Sequence, residues 1–204
     1  KPTSSLLNFA TFVAFFPQLV AGPIEKASVL IPQLERKSIF KYENFVDGLR
    51  LILFGLFKKV VIADQLSFYV NQIFEDPTSC NGGELFLGAL YFSFQVYGDF
   101  SGYSDIAIGS AMLLGFTLMS NFKFPFFSQN LAEYWRRWHI SLNTWFNDYL
   151  FMSLALMYRA KGKVAIIASL FFTFLISGFW HGASWNFILW GIVNGVFFII
   201  PFLK

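Results

Sequence analysis

Two apolar runs without a single charge meet at a histidine. Residues 164–180 and 183–203 contain no Asp, Glu, Lys or Arg, and His181 and Gly182 join them in the stretch SGFWHGASWNFILWG. A helix needs about 20 apolar residues to cross the hydrocarbon core of a bilayer. Both runs approach that length, so they read as a membrane hairpin or as one broken membrane helix. A lipid-embedded, all-α chain is the expected class. The rest of the sequence agrees: only 13% of the 204 residues are charged and 29 are phenylalanine, against about 25% charged in a soluble domain.

The net charge of +3 does not suggest nucleic acid. The basic residues fall in short clusters between apolar runs: Arg36, Lys37 and Lys41; Lys58 and Lys59; Arg159, Lys161 and Lys163. That is the pattern of cytoplasmic loops under the positive-inside rule, not of a nucleic-acid groove. Cys80 is the single cysteine, so no intrachain disulfide is possible, and one Cys with two His is too poor for a structural zinc site. No cleavable signal peptide is visible. With no initiator Met and an end one residue after an apolar run, the chain is expected to be a central piece of a longer protein.

Further segments follow the same logic. Residues 6–20 form an apolar run interrupted by Pro17, and Gly22 and Pro23 break it again. Residues 45–74 are mixed and read as two short or tilted helices. Residues 85–118 are long enough for two passes, with YGDFSGYSD (97–105) expected to cut them. The slightly basic 25–44 is expected on the cytoplasmic side, and the acidic, turn-rich 75–84 on the opposite one. Residues 131–158, rich in Trp and Tyr, read as an amphipathic interfacial helix. With no repeat or linker, residues 1–204 are expected to form one helical membrane domain.

Three constellations can carry chemistry. In EYWRRWHISLNTWFNDYLF (133–151), Trp135, His139 and Asn143 share one face if the segment is a continuous helix. Trp138 and Trp145 share another. Arg136 and Arg137 add fixed positive charge suited to an anion, a phosphate or a thioester-bearing cofactor. The competing reading is an interfacial anchor. His181 is the second candidate: polar groups at membrane depth tend to mark function, and a neutral imidazole accepts a proton near physiological pH. The competing reading is a helix-end histidine bonded to a backbone carbonyl. Third, Asp99 and Asp105, with Ser101 and Ser104 between them, form either a carboxylate pair or ion pairs with cations from other helices. Neither G-x-S-x-G nor H-E-x-x-H occurs. Nor is there a His followed five residues on by Asp: Thr144 and Asn186 occupy those places.

FFPQLVAGPIEK, GLFKKVVIAD, YGDFSGYSDIAIG, NFKFPFFSQNLAEYWRRWHISLNTWFNDYLF and SGFWHGASWNFILWG occur in this order. Together they resemble the membrane-bound O-acyltransferase (MBOAT) family, most closely its bacterial alginate O-acetyltransferase-like branch. The resemblance covers about Phe15 to Gly195. The segment after Asp148, Tyr149 and Leu150 departs from it, reading FMSLALMYRAKGK without the family's Gly-Gly.

The resemblance implies a multi-pass fold with interfacial and re-entrant helices around a tunnel, in the bacterial cytoplasmic membrane. The family's first and last helices would lie outside this chain. It maps the family's characteristic histidine onto His181 and a second onto His139. It also implies transfer of an acyl group, acetyl in this branch, from a thioester towards an extracytoplasmic polysaccharide, completed by polysaccharide-modifying partner proteins. The donor would be acetyl-CoA or a carrier-bound thioester, with no bound cofactor and no metal.

On this reading His181 is the general base and His139 orients donor or acceptor. Asn143 is a hydrogen-bond partner one turn on, and Arg136 and Arg137 hold donor phosphates. Trp135, Trp138, Trp180 and Asn186 complete the binding site, with the tryptophans excluding water. Two alternatives stand beside it: a polytopic transporter or channel using intramembrane His and Asp, and a non-catalytic scaffold for polysaccharide-modifying partners. If Arg159 to Lys163 lie inside and 164–180 crosses fully, His181 falls towards the outer side. A re-entrant segment leaves it mid-membrane.

Overall fold

The computed structural model describes residues 5–37 and 39–200. Among these, every regular element is helical. The chain divides into two compact units, Lys1–Asn121 and Phe122–Lys204.

The first unit contains α1 (Leu6–Val13), α2 (Ala27–Glu35), α3 (Tyr42–Leu56), α4 (Asp64–Glu75) and α5 (Gly82–Leu113). Pro17 interrupts the first apolar run as expected, leaving only a 3-10 turn, Phe16–Gln18, after α1. Phe15, Leu30, Ala111 and Leu118 form the buried core of this unit. The buried carboxylate of Glu25 accepts the backbone N–H of Met119.

The expected cut at 97–105 does not occur. α5 runs unbroken through YGDFSGYSD, starting from a capping box between Asn81 and Glu84. The glycines taken as breakers are contact points instead. A Cβ built on Gly55 of α3 would lie 2.5 Å from the carbonyl oxygen of Gly102, and one on Gly102 would lie 2.7 Å from that of Gly55. Gly48 and Gly109 repeat the arrangement, at 2.9 and 2.5 Å. Small residues let helix backbones approach closely where lipid supplies no hydrophobic drive between helices.

The aspartates in the same stretch are ion-paired. Asp105 bonds Lys58, and Asp99 lies 2.8 Å from Lys59, which also reaches Asp64 at 2.7 Å. Both lysines belong to a π-helical segment, Phe57–Ala63, that joins α3 to α4. Residues 45–74 are therefore one continuous helical path with a π insertion, not two separate helices.

The second unit contains α6 (Leu131–Arg137), α7 (Ile140–Phe146), α8 (Met152–Met157), α9 (Lys163–His181) and α10 (Trp185–Ile199). The single amphipathic helix expected over 131–158 is broken. Trp138 is extended (φ −105°, ψ 129°) and His139 is left-handed (φ 43°, ψ 54°), so α6 and α7 are separate pieces. A second π segment, Asn147–Phe151, links α7 to α8.

Among the described residues α9 alone is long and apolar enough to cross a membrane, while α10 is shorter. Positions 201–203 of the last apolar run lie outside the described residues. α9 and α10 pack as a hairpin through glycines: a Cβ on Gly191 would lie 2.7 Å from the Phe174 carbonyl oxygen and 3.3 Å from the Cα of Gly178. Their outer faces carry exposed Val164, Phe172, Leu189 and Phe197, a surface suited to acyl chains.

Candidate functional site

The second unit encloses a cavity of about 440 Å³. Three helical stripes form it. α7 and the π segment supply Ile140, Asn143, Thr144 and Asn147, at the i, i+3, i+4 and i+7 spacing of one helix face. α9 supplies Leu170, Thr173, Phe174 and Ser177 at the same spacing. α6 contributes Ala132, Trp135 and Arg136, while Phe146, Phe151 and Phe198 close the apolar side. The result is an apolar slot with convergent polar groups, the usual composition of a small-molecule site.

Of the residues expected to bind substrate, Trp135, Arg136 and Asn143 line this cavity. Their arrangement differs from the shared helix face expected over 131–158. Because the chain turns at His139, Asn143 folds back on α6 and donates its Nδ2 to the carbonyls of Trp135 at 2.7 Å and Trp138 at 2.6 Å. These carbonyls sit where α6 ends, among groups that have lost their intrahelical partners. One amide thus secures the turn that carries His139.

The two arginines part company. Arg136 faces the cavity and, among the described residues, forms no salt bridge. Arg137 is bound to Glu133 and donates to the Phe124 carbonyl at 3.5 Å. Trp138 also lies off the cavity, stacked on Tyr134 with centroids 5.7 Å apart and edge-on to Phe122 at 5.1 Å. Burial raises the Tyr134 phenol to about 12, so it stays protonated within that stack. Asn186 is exposed on the first turn of α10, outside the cavity.

His139 is buried, with 8% of its surface exposed. Burial lowers its pKa to about 4, and the charge of His181 pushes it the same way. It is therefore neutral at physiological pH and near enough to His181 to feel its charge. A left-handed backbone at a non-glycine residue is uncommon and costly, and such strain collects at functional sites.

His181 is the last residue of α9 and remains exposed. Aromatic rings hold it: Trp180 at 5.1 Å, Trp190 at 5.2 Å and Phe187 at 6.1 Å between centroids. Neither histidine lines the 440 Å³ cavity. Rings connect His181 to its walls. Trp190 lies 5.6 Å from Trp135, and Trp180 lies 6.4 Å from Phe146.

Trp190, Thr173 and Ser177 were missing from the sequence-derived site. The last two were visible with Ser169 as hydroxyls at successive turns of a mainly apolar helix, with Ser177 one turn before His181. Trp190 carried no signal beyond lying in the same motif as His181. Among the described residues no group of three or more His, Cys, Asp or Glu side chains is placed to hold a metal ion.

A sequence model described as the membrane-bound O-acyltransferase family matches residues 2–201. Similar proteins include a probable alginate O-acetylase AlgI of Pseudomonas syringae pv. tomato, 44% identical over 97% of this chain and 38% of the relative. The peptidoglycan O-acetyltransferase of Helicobacter pylori is 42% identical over 95% of this chain and 37% of its own length. A teichoic acid D-alanyltransferase of Bacillus subtilis is 30% identical over 91% of this chain and 49% of its own. The chain thus spans about two-fifths to one-half of the length of these relatives.

Proposed function

The chain belongs to the membrane-bound O-acyltransferase family, and from that membership we propose that it forms the central part of a multi-pass enzyme of the bacterial cytoplasmic membrane that transfers an acyl group, acetyl, from a thioester towards the hydroxyls of a polysaccharide outside the cell. Relatives are named for acetyl on alginate, acetyl on peptidoglycan and D-alanyl on teichoic acid. An acyl group and a polymer acceptor are common to the three names. On this proposal the 1–204 segment acts as part of one membrane domain, in contact with lipid and with extracytoplasmic partners that complete the transfer.

The observation that carries the reading is the run of rings from His181 through Trp190 to Trp135 in the wall of a cavity that joins polar and apolar groups. A thioester is already activated, so catalysis must raise the nucleophilicity of the acceptor. The His181 imidazole takes the hydroxyl proton as the oxygen attacks the thioester carbonyl. The tetrahedral intermediate collapses, the carbon–sulfur bond breaks, and the thiolate leaves and is protonated. A positioned base contributes about 10²–10⁴-fold to such a step.

Neutral His139 orients donor or acceptor by hydrogen bonding. Arg136 offers its guanidinium to donor phosphate or carbonyl groups. Trp135 and Trp180 keep water from the thioester. Asn143 acts through the turn it secures, and Arg137 and Trp138 support α6. Asn186, exposed on the first turn of α10, meets the acceptor side.

The test is transfer of labelled acetyl to polymer in cells carrying the full-length protein with His181→Gln. Loss of about 10²–10⁴-fold at equal protein levels is expected. Transfer near wild type would remove His181 from the base role. The scaffold reading would gain if replacing both histidines left transfer intact while deleting the protein abolished it. The relay reading loses its carboxylates to Lys58 and Lys59, which pair with Asp105 and Asp99.

A further inference from the structure

A general base must present its nitrogen in one direction, and a third group usually fixes that direction through a hydrogen bond. Among the described residues no hydrogen bond holds the His181 imidazole. Three aromatic rings surround it. Trp180 and Phe187, two of the three, are 56% and 40% exposed. Trp190, on α10, is half-buried.

Trp190 stands edge-on to His181, at 5.2 Å and 78°, and edge-on to Trp135, at 5.6 Å and 86°. Edge-to-face geometry is the favoured arrangement of aromatic pairs, because the positive ring edge meets the negative ring face. Trp135 in turn lines the cavity. Its indole N–H is buried without an acceptor among the described residues. Trp180 also reaches the cavity, through Phe146, but over 6.4 Å and from an exposed position.

We propose that Trp190 is a positioning residue whose indole bridges the cavity wall at Trp135 and the His181 imidazole, so that the occupant of the cavity and the direction of the base are set together. The inference rests on the reading of His181 as the base. Trp190 touches no reacting atom. A ligand that presses on Trp135 presses on Trp190, and Trp190 holds the ring that must face the acceptor hydroxyl.

The test uses membrane vesicles containing the full-length protein with its partners, acetyl-coenzyme A as donor probe, and thiol release in the presence of acceptor polymer as readout. Wild type, Trp190→Phe and Trp190→Leu are compared at matched protein levels. Phe keeps a ring edge for both neighbours and is expected to hold kcat within about threefold. Leu keeps apolar bulk but no ring, and misplacing a reacting group by about 1 Å costs on the order of 10²-fold. Its kcat should fall by about that factor while KM for acetyl-coenzyme A moves less than about threefold, because the cavity itself remains.

A Leu variant with wild-type kcat overturns the proposal. So do Phe and Leu variants that lose activity equally, or a Leu variant whose loss lies wholly in KM. Absence of thiol release in wild type, with acetyl-coenzyme A and with an acetylated carrier protein supplied in turn, is a separate result: it overturns the transferase reading, and this inference with it.

Discussion

The side-chain amide of Asn143 donates to the backbone carbonyl of Trp138 across 2.6 Å. The same nitrogen reaches the Trp135 carbonyl at 2.7 Å, so one residue of α7 caps the end of α6. Replacing it with Ala leaves both carbonyls short of a donor, at about 1–3 kcal/mol for such a buried group. Asn143→Asp should be worse, since a carboxylate sets negative oxygens against two carbonyl oxygens. The expected order of thermal unfolding midpoints in detergent is wild type, then Ala, then Asp. An Asp variant as stable as wild type would show that the amide does not hold the turn.

Arg136 and Arg137 are neighbours with opposite tasks. Arg137 is tied to Glu133 within α6, whereas Arg136 faces the cavity and has no salt bridge among the described residues. Arg136→Gln is expected to raise KM for a thioester donor by about tenfold, the loss of one charge-assisted hydrogen bond, with little change in unfolding midpoint. Arg137→Gln is expected to lower the midpoint and leave KM within about twofold, since it removes a partly exposed helix pair. Donor titrations of the two variants side by side check the split. Equal KM values would return both arginines to a single role.

The helical class and the family were legible in the sequence because they depend on composition and on motif order. The path of the backbone at two places was not. YGDFSGYSD looks like a helix breaker when its glycines and aspartates are read alone. In the fold Gly102 meets Gly55 and Asp105 meets Lys58, both on a neighbouring helical path. Tertiary contact overrides local propensity there. At 131–158 the error runs the other way. Every residue from Tyr134 to Phe146 suits a helix, and the turn exists because Asn143 reaches back to α6, a bond no periodicity announces. Of the cavity, the α9 stripe was readable and the role of Trp190 was not, since ring contacts between helices leave no trace in spacing.

The glycine contacts of α3 and α5 make a sharp stability test. A Cβ on Gly102 would lie 2.7 Å from the Gly55 carbonyl oxygen, so the backbones must separate. Gly102→Ala should cost about 1–3 kcal/mol as overpacking. Gly82, at the start of the same helix, has nothing within 4 Å of a built Cβ. Gly82→Ala should therefore be neutral or stabilising by up to about 1 kcal/mol from helix propensity. Comparing the two unfolding midpoints separates crowding from any general intolerance of alanine in α5. If both variants behave alike, the close approach of the two backbones is not what holds the helices.

His139 sets a pH dependence of stability. Its pKa is lowered from 6.5 to about 4 by burial, with the charge of His181 acting in the same direction. The unfolded chain therefore binds a proton at higher pH than the folded one. Stability from this group is complete above 6.5 and is lost as the pH falls from there towards 4, because protons then favour the unfolded state. Over that interval the loss amounts to about 3 kcal/mol at most. A His139→Gln variant lacks the titration, so its stability should fall less steeply between pH 6.5 and 4, whatever its starting value. Chemical denaturation of both proteins across that range measures the two slopes. Parallel slopes would mean that His139 takes up its proton as readily in the fold as outside it.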